Sequence, residues 1–392
     1  MAVHDVVIVG GGNAGISLAG RLRRLGARDV AVVSPDPVHR YRPLLNYVAG
    51  GQASMSRLTR PTASVVPGGC EWLPDRAVAI HAHDCEVELD SGEHIGYRDL
   101  VIASGLEPDL DATPGLAEAM EAGWSANAHL SSLAEDTWEA IRGMTRGRAV
   151  FTIPPEPSPC GGTALKPLFL ACDYWREQGV LDKIEVHLLT PYRSVLDIPF
   201  ADRRLEPILR GFGITVHHGA TVASMDHRER TVTLRTNDAD QVLADVQRAF
   251  VVPRYRAPAW LAPLAGEGTG GLVDIDPTTL AHRRLPRVWS LGDVAAVATR
   301  PSGGALRRQV EVLAANIRAS RLSQPLRSYD GYTIIPITVD RRRLLLAEFD
   351  RDGTPAPSVS WIDLTVPRRA LWAFDRYVEP VIYYRALLKG RV

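Results

Sequence analysis

The chain has 392 residues, of which 45% are hydrophobic and 23% are charged. A single ordinary core rarely grows to this length, so we expect more than one domain. The 45 basic and 45 acidic side chains cancel. The molecule as a whole therefore projects no strong field towards nucleic acid, and we predict no nucleic-acid partner.

The cysteines and the start of the chain indicate the compartment. Cys70, Cys85, Cys160 and Cys172 show no CxxC spacing and are too sparse for a secreted disulfide scaffold, which favours a reducing compartment and suggests no metal site. The chain enters an apolar strand without the charged start of a signal peptide, and it has no run of about 18 apolar residues. We expect a cytoplasmic protein, either free or peripheral on the cytoplasmic face of a membrane.

The first predicted elements are a strand and a helix joined by a glycine turn, in the stretch DVVIVGGGNAGISLAG. The glycines fit G-x-G-x-x-G, in which they permit a tight turn, close approach of a pyrophosphate, and packing of helix on strand. The phosphates would then lie at a helix amino terminus, where N–H groups favour negative charge. We therefore predict a dinucleotide site at Gly10, Gly12, Asn13, Ala14 and Gly15.

The second predicted strand, DVAVVSP, ends at Ser34, where an acidic residue usually bonds the ribose hydroxyls. Serine can still make one such bond, or Asp36 can reach the ribose instead. We assign Ser34 to the cofactor site and leave the second alternative open. Pro43 and Val78, in the same part of the chain, are further candidates for cofactor contact.

Two later strands end in further polar turns. YRDLVIASGLEPD runs into Ala103, Ser104 and Gly105, and LPRVWSLGDVAAV ends in Gly292 and Asp293. Each alone is compatible with a simple strand and turn. Together they resemble the paired motifs of the FAD-dependent pyridine nucleotide-disulfide oxidoreductase superfamily. That resemblance implies FAD as the cofactor, with Asp293 bonding the ribityl chain.

The resemblance also sets the predicted domains. The fold class is α/β, with two Rossmann-like, doubly wound domains and a small C-terminal helical and strand region. Strands are predicted at RAVFTIPP, KIEVHLLTP and ITVHHG, with helices at ALKPLFLACDYWREQG and ADRRLEPILRGFG. The predicted domains are a discontinuous FAD-binding domain at 1–112 and 265–325, a second Rossmann-like domain without an NAD fingerprint at 113–264, and a quinone- or membrane-facing region at 326–392.

The loop after RAVFTIPP reads EPSPCGGTALK, where a nicotinamide-binding unit would repeat the glycine fingerprint. Its only glycines are the adjacent Gly161 and Gly162, so we predict that NAD(P)H is not the reductant. Cys160 stands there instead, at a loop-to-helix junction, where unpaired N–H groups favour a thiolate and raise its reactivity. The alternative is a buried, inert cysteine.

The longer stretch TIPPEPSPCGGTALKPLFLACDYWREQGVLDKIEVHLLTP resembles the sulfide:quinone oxidoreductase family, above all its mitochondrial-like branch. In that family a proline-rich loop carries the first redox cysteine, with a lysine six residues later. Cys160 and Lys166 match these positions and are the predicted catalytic residues. The resemblance extends to TLAHRRLPRVWSLGDV, GGALRRQVEVLAANI and EPVIYYRALLKGR. We assign Gln309, in the second of these segments, to the flavin pyrimidine.

The sequence departs from that family at two positions. The second redox cysteine of the family precedes a proline in a segment like GYTIIPITVDRRRLLLAEFD, and here that position is Ile335. A lysine often found beside the flavin is replaced by Ser302. A disulfide from Cys160 to Cys172 is implausible, because twelve helical residues span about 18 Å and a disulfide needs Cα atoms within about 7 Å. The two-cysteine mechanism therefore cannot operate unaltered.

The C-terminal segment PRRALWAFDRYVEPVIYYRALLKGRV carries six basic residues against two acidic ones. Tyr377, Val381, Tyr384 and Leu388 recur at helical spacing and predict one apolar stripe with cationic flanks. Such a helix can lie in a membrane interface. The alternative is a tail helix that packs on its own core or on a dimer mate. In the resembling family this region forms the quinone entrance and the membrane face.

The sequence thus predicts an FAD-dependent oxidoreductase that moves two electrons from sulfide, or another sulfur nucleophile, through FAD to a quinone. Cys160 would hold sulfur as a persulfide or bond covalently to the flavin, which divides a difficult transfer into easier steps. Two alternatives remain open: a flavin-dependent dehydrogenase or reductase acting on another small molecule, and a flavin-bearing redox sensor without turnover. The predicted partners are a small sulfur donor, a quinone and a membrane surface; a homo-oligomer is left open.

Overall fold

The computed structural model describes residues 2–237 and 239–392. The strands, in chain order, are β1 (Ala2–Val9), β2 (Val30–Val33), β3 (Val38–Arg40), β4 (Thr59–Pro61), β5 (Glu71–Leu73), β6 (Ala77–His81), β7 (Glu86–Leu89), β8 (His94–Ile102), β9 (Glu107–Asp109), β10 (Gly147–Thr152), β11 (Ile184–Leu189), β12 (Thr215–His217), β13 (Thr221–Asp226), β14 (Thr231–Arg235), β15 (Asp240–Leu243), β16 (Val246–Phe250), β17 (Arg254–Arg256), β18 (Val288–Ser290), β19 (Thr333–Thr338) and β20 (Leu344–Phe349). The helices are α1 (Asn13–Arg24), α2 (Leu45–Ala49), α3 (Met55–Leu58), α4 (Thr62–Val65), α5 (Leu116–Glu121), α6 (Ala134–Gly143), α7 (Leu165–Glu177), α8 (Pro199–Gly211), α9 (Leu306–Arg321), α10 (Arg369–Ala373) and α11 (Glu379–Arg385).

The first sheet has seven strands, in the order β5-β2-β1-β8-β7-β6, with β18 pairing with β8. Strand β1 runs parallel to both β2 and β8, and β18 is also parallel to β8. Residues 6–9 of β1 are all buried, as expected of a parallel strand covered on both faces. Helices α1 and α9 pack together beside this sheet. The sheet therefore combines strands from the first 102 residues with β18, which begins only at Val288.

The second sheet contains four parallel strands, in the order β12-β11-β10-β16. Residues of α7 and α8 share a buried core with it, in which the rings of Phe151 and Phe250 stack with centroids 4.3 Å apart. The predicted α/β class, with two parallel units, is confirmed. Two antiparallel parts complete the fold: the sheet β13-β14-β15 and the extension β6-β7-β8 of the first sheet. The predicted domain boundaries stay a prediction.

The C-terminal region reaches both units. The hairpin β19–β20 places Ile335 and Ile337 in the core of the second unit. Beyond α11, a 3₁₀ turn at Leu387–Lys389 packs on α1, where Leu388 is fully buried. A Cβ on Gly20 of α1 would lie 2.8 Å from the Leu388 carbonyl oxygen. The end of the chain therefore belongs to the core of the first unit.

The prediction of a single apolar stripe is wrong, because the four residues do not share one face. They are Tyr377, Val381, Tyr384 and Leu388. Tyr377 and Val381 are exposed, Tyr384 is half-buried, and Leu388 is buried. A π-helical turn at Phe374–Val378 lies between α10 and α11, and α11 ends at Arg385. The wider turn and the early end break the 3.6-residue register on which the predicted stripe depended. In the part of the chain that the structure describes, no helix combines the length and apolarity that a bilayer crossing requires.

Candidate functional site

The glycine turn between β1 and α1 is closely packed at two positions and open at the third. Gly10 has φ +124°, and a Cβ there would lie 2.2 Å from the carbonyl oxygen of Ala103. A Cβ on Gly15 would lie 1.9 Å from the carbonyl oxygen of Gly10. Gly12 precedes the first turn of α1, and a Cβ there would meet nothing within 4 Å. The open position at a helix amino terminus is where a pyrophosphate would lie.

The ribose end of the predicted site favours Ser34 over Asp36. Ser34 is 7% exposed, and a Cβ on Gly11 would lie 2.6 Å from the Ser34 Oγ, so this hydroxyl lies beside the glycine turn. Asp36 is exposed, and its carboxylate accepts hydrogen bonds from Arg40 (2.7 Å) and from the Val38 N–H (2.9 Å). The Asp36 carboxylate is therefore already hydrogen-bonded within the protein.

The strand ends β8 and β18 meet at the same edge of the first sheet. Ala103, which follows β8, donates its N–H to Val9 at 2.8 Å, so the segment with Ser104 and Gly105 starts beside the glycine turn. Asn13 and Ala14 form the first turn of α1. A Cβ on Gly292 would contact the Ala14 Cβ at 3.2 Å. The structure thus brings the three predicted cofactor motifs together.

Asp293 is half-buried at this edge, and no described residue donates a hydrogen bond to its carboxylate. Burial raises the pKa of the Asp293 carboxyl to about 6, against the lowering effect of the Arg42 guanidinium. An acceptor of this kind, left unpaired by the protein, suits the hydroxyl groups of a ribityl chain. The residues at this edge therefore fit a flavin dinucleotide.

Gln309 holds the turn that carries Asp293. Its Oε1 accepts a hydrogen bond from the Gly292 N–H at 2.9 Å, and its Nε2 lies 3.5 Å from the Tyr329 hydroxyl. The predicted contact of Gln309 with the flavin pyrimidine stays a prediction. So do the contacts of Pro43, in a 3₁₀ turn after β3, and of Val78, half-buried in β6.

Cys160 precedes a 3₁₀ turn at Gly161–Ala164, and α7 begins only at Leu165. The residue has φ +52°, in the left-handed region. Its carbonyl oxygen accepts hydrogen bonds from the N–H (2.9 Å) and the Oγ1 (2.8 Å) of Thr163. The 3₁₀ turn therefore separates Cys160 from the start of α7, whereas the sequence predicted the cysteine directly at the helix start.

The predicted lowering of the Cys160 pKa is wrong. Burial raises the pKa of the thiol to about 12, and the carboxylates of Asp293 and Glu156 add to this increase. Lys166 and the Thr163 hydroxyl act in the opposite direction but do not overcome the loss of hydration. The resting side chain is thus a thiol. The effect of Asp293 on this thiol shows that Cys160 of the second unit is close enough to the carboxylate of the first unit for the two charges to influence each other.

Lys166 is fully buried, and its Nζ lies 2.8 Å from Asp375 Oδ2 in the C-terminal π-helical turn. The same oxygen accepts a hydrogen bond from the Tyr47 hydroxyl at 2.7 Å. The lysine ammonium also lies 5.2 Å from the centroid of the Tyr47 ring. The side chain therefore holds α7 against the C-terminal region while its charge acts on the Cys160 thiol. A catalytic role for Lys166 stays a prediction.

Ile335 and Ser302 occupy the positions where the sequence departs from the resembling family. Ile335 is 1% exposed, and a Cβ on Gly162 would lie 2.9 Å from its Cγ2, so its side chain packs on the loop of Cys160. Ser302 accepts hydrogen bonds from the Ala305 N–H (3.1 Å) and the Thr333 hydroxyl (3.0 Å) at the start of α9. It has the contacts of a structural residue.

Two titratable residues near Cys160, His129 and Glu156, were not among the predicted site residues. Burial lowers the pKa of His129 to about 4, while backbone groups of Pro159 and Cys160 oppose this change. Within the described chain the buried His129 Nε2 has no hydrogen-bond partner. Burial raises the pKa of Glu156, which accepts hydrogen bonds from the Ser158 N–H (2.9 Å) and the Tyr192 hydroxyl (3.3 Å). His129 lies in a loop with no sequence motif, whereas Glu156 begins the EPSPCGGTALK loop itself, four residues before Cys160, where the cysteine alone was assigned a role.

Comparison with known proteins agrees with this geometry. A family model described as pyridine nucleotide-disulphide oxidoreductase matches residues 4–138. The mitochondrial sulfide:quinone oxidoreductase of Mus musculus is 29% identical over 391 residues, covering 99% of this chain and 87% of that protein. The protein of the same name from Dictyostelium discoideum is 28% identical over 395 residues, with the same two coverages of 99% and 87%.

A solved structure shows the same fold. The X-ray structure of the sulfide:quinone oxidoreductase from the hyperthermophilic bacterium Aquifex aeolicus matches with a TM-score of 0.79 and 17% sequence identity. The match covers 100% of this chain and 92% of that one. At this identity the likeness concerns the fold, including the hairpin β19–β20 and the C-terminal helices that lie beyond the residues matched by the family model.

Proposed function

Because the chain is a sulfide:quinone oxidoreductase-like member of the pyridine nucleotide-disulfide oxidoreductase superfamily, we propose that it transfers two electrons from sulfide, or another small sulfur nucleophile, through FAD to a quinone. One observation carries the proposal. The Cys160 thiol of the second unit interacts electrostatically with Asp293, the flavin-motif carboxylate of the first unit. A sulfur nucleophile and a flavin site thus share one environment.

FAD supplies the reversible acceptance of two electrons. Its pyrophosphate would lie at Gly12 and the amino terminus of α1, and its ribose at Ser34. The Asp293 carboxylate would accept hydrogen bonds from the ribityl hydroxyls. We expect the purified protein to be yellow, with one noncovalent FAD per chain. Asp293→Ala should weaken retention of the flavin, which absorbance after gel filtration measures.

The protein's part in the chemistry is to hold sulfur and to move protons. Oxidation of the Cys160 thiol and hydrogen sulfide to a persulfide forms one S–S bond and releases two electrons and two protons. A quinone takes up two electrons and two protons to become the quinol. Because the pKa of Cys160 is about 12, its deprotonation at neutral pH needs a base. Glu156, whose pKa is raised by burial, is the group that we assign to receive these protons.

Ile335 limits the steps that can occur after the first oxidation. Its side chain packs on Gly162 and offers no thiol to form a second persulfide or a disulfide with Cys160. The outer sulfur of the Cys160 persulfide must therefore be removed by a nucleophile from solution before the next turnover. This requirement separates the chain from the two-cysteine mechanism that the resemblance implies.

We assign the contact with the quinone and the membrane to the C-terminal helices. Phe374, Tyr377, Val378 and Val381 are exposed and apolar. The Arg57 guanidinium lies 5.9 Å from the centroid of the Tyr377 ring at the edge of this group. Exposed aromatic and aliphatic side chains beside arginine suit the boundary between headgroups and acyl chains. The proposed location is thus the cytoplasmic face of a membrane, in peripheral contact.

An anaerobic titration of the purified flavoprotein tests the proposal. Sulfide should bleach the flavin, and a quinone analogue should restore its absorbance, whereas NADH and NADPH should bleach it far more slowly. Cys160→Ser should retain FAD and lose the reaction with sulfide, and the exposed Cys85→Ser is the matched control. Rapid, saturable bleaching by NADH would instead support a flavin-dependent reductase that takes its electrons from NADH. A Cys160→Ser variant that reduces quinone with sulfide at the parent rate would end the sulfur hypothesis.

A further inference from the structure

A group of imidazole and carboxylate side chains lies on the antiparallel extension of the first sheet. His81 ends β6, Glu88 lies in β7, and His94 begins β8. Strand β7 pairs with both of its neighbours, and Glu88 stands directly opposite His94 in the register. Three adjacent strands therefore present one donor side chain each to the same place.

The donor atoms are close together and reachable from solvent. One ligand atom from each of His81, Glu88 and His94 lies within 4.8 Å of the other two. The His81 Nε2 is 3.0 Å from Glu88 Oε2, and the two imidazole rings stack with centroids 5.5 Å apart at 15°. Each side chain is between 36% and 40% exposed, so an ion can enter without any backbone movement.

We propose that His81, Glu88 and His94 bind a divalent transition metal ion of the zinc class, with a fourth position left for water. Two imidazoles and one carboxylate form a donor set that suits Zn²⁺, whereas Mg²⁺ and Ca²⁺ prefer oxygen ligands alone. Ligands at about 2.0–2.2 Å from a tetrahedral ion lie roughly 3.3–3.6 Å apart. Side-chain rotation on the fixed strands can close the remaining distance.

Glu86 orients one of the two imidazoles. Its Oε2 lies 3.1 Å from His94 Nδ1, which leaves Nε2 of that ring free to bind a metal. A carboxylate that fixes the tautomer and angle of a ligating histidine is the usual partner in the second layer of a metal site. No metal site was predicted from the sequence, because strand pairing, not a short motif, brings these donors together.

The ion would connect β6 to β8, which are separated by β7 and share no ladder of their own. Binding to the folded state alone stabilises that state by mass action, so Zn²⁺ should raise the melting temperature of the protein. The competing interpretation is two separate ion pairs, His81 with Glu88 and His94 with Glu86, and no ion. This inference does not depend on the proposed redox function.

Isothermal titration calorimetry of the untagged, EDTA-treated full-length flavoprotein with Zn²⁺ decides between these interpretations. We expect one Zn²⁺ per chain, removed in His81→Ala/His94→Ala, with affinity lowered about tenfold or more in Glu86→Gln. His217→Ala is the matched control, since it disrupts a second His–Glu group, in which the His217 Nε2 lies 2.9 Å from His187 Nδ1. Cys85→Ser controls for the exposed thiol near the β6–β7 turn. Both controls should keep the site.

Two results would overturn the inference: no Zn²⁺ uptake by the parent protein, or unchanged uptake by the double variant. If the double variant does not fold, His94→Gln provides the same test at a half-exposed position. A rise in melting temperature with Zn²⁺ in the parent and in His217→Ala, and none in His94→Gln, gives a second readout. An equal rise in all three proteins would also contradict the assignment.

Discussion

Lys166 Nζ lies 2.8 Å from Asp375 Oδ2 in the interior of the protein, although 209 residues separate them in sequence. The Asp375 carboxylate also accepts the Tyr47 hydroxyl at 2.7 Å. One buried carboxylate thus holds α7, α2 and the C-terminal π-helical turn together. The lysine that the family resemblance marks as catalytic is, in this structure, also the anchor of the C-terminal region.

Removing the lysine alone should be costly. Lys166→Met leaves the Asp375 carboxylate buried without its cation, and we expect a loss of stability of about 3–5 kcal/mol. Lys166→Met/Asp375→Leu should recover part of that loss, because the unpaired charge is gone. Denaturant unfolding monitored by circular dichroism measures both. The matched control is Arg204→Gln, which breaks the exposed pair with Asp363 and should cost at most about 1 kcal/mol. An equal loss in Arg204→Gln and Lys166→Met would contradict the anchoring role.

The alkylation rate of Cys160 should follow its raised pKa. Because the pKa of the thiol is about 12, the thiolate fraction rises about tenfold per pH unit from neutral pH to about pH 10, without a plateau. The exposed Cys85 should react faster than Cys160 throughout. Iodoacetamide labelling followed by peptide mass spectrometry gives the rate at each cysteine. A Cys160 rate that levels off near neutral pH would show that its pKa is lowered after all.

The sequence predicts well what adjacent residues determine. The glycine turn after β1 depends on positions that contact one another, as Gly15 and Gly10 do, and its pattern is visible in a short stretch. The proximity of β18 and β8 could be predicted because each strand is followed by a recognisable polar turn. The resemblance to a family then supplied the order in which these strands assemble.

The sequence does not predict what distant residues determine. The pKa of Cys160 is raised mainly by burial in the folded protein, whereas the nearby helix start predicted that it would be lowered. The partner of Lys166 lies in another region, and the π-helical turn at Phe374–Val378 broke the predicted apolar stripe. His129 lies beside the loop of Cys160 only because two loops distant in sequence converge there.

Alanine substitutions at two glycines should separate flavin binding from folding. A Cβ at Gly12 would meet no protein atom within 4 Å, so Gly12→Ala should fold normally and retain less FAD, because the methyl group enters the phosphate position. A Cβ at Gly15 would lie 1.9 Å from the Gly10 carbonyl oxygen, so Gly15→Ala should lower the melting temperature. Flavin absorbance and thermal unfolding measure the two effects. Full FAD retention by Gly12→Ala would argue against the predicted pyrophosphate position.

Asp293 should make the flavin-stripped protein less stable as the pH rises. Its pKa is raised to about 6 in the folded state, against about 3.9 in an unfolded chain. The folded state therefore binds more protons in this interval, and the contribution that is present below about pH 4 is lost as the pH rises through about 6. Asp293→Asn should remove this dependence, so the variant gains stability relative to the parent over the same range. Thermal unfolding of both proteins at several pH values measures the effect. If the melting temperatures of the parent and of Asp293→Asn differ by the same amount from pH 4 to pH 7, the raised pKa is contradicted.

Restoring a thiol at position 335 should increase the proposed activity. A Cβ on Gly162 would lie 2.9 Å from the Ile335 side chain, so a cysteine at position 335 faces the loop of Cys160. With two thiols, the sulfur bound to Cys160 can be passed to a second protein thiol instead of waiting for a nucleophile from solution. We expect faster sulfide-dependent reduction of a quinone analogue by Ile335→Cys, and fewer free thiols after oxidation.

Ile337→Cys is the matched control for this gain. Ile337 lies two residues along β19, so its side chain is on the same face of the strand, and it is equally buried in the core of the second unit. Both substitutions remove volume from that core and should lower stability to a similar extent. Only Ile335→Cys should form a disulfide, since it alone places the new sulfur against the segment that carries Cys160. If both variants show the parent rate and the parent thiol count, position 335 is not the place where a second redox cysteine would act.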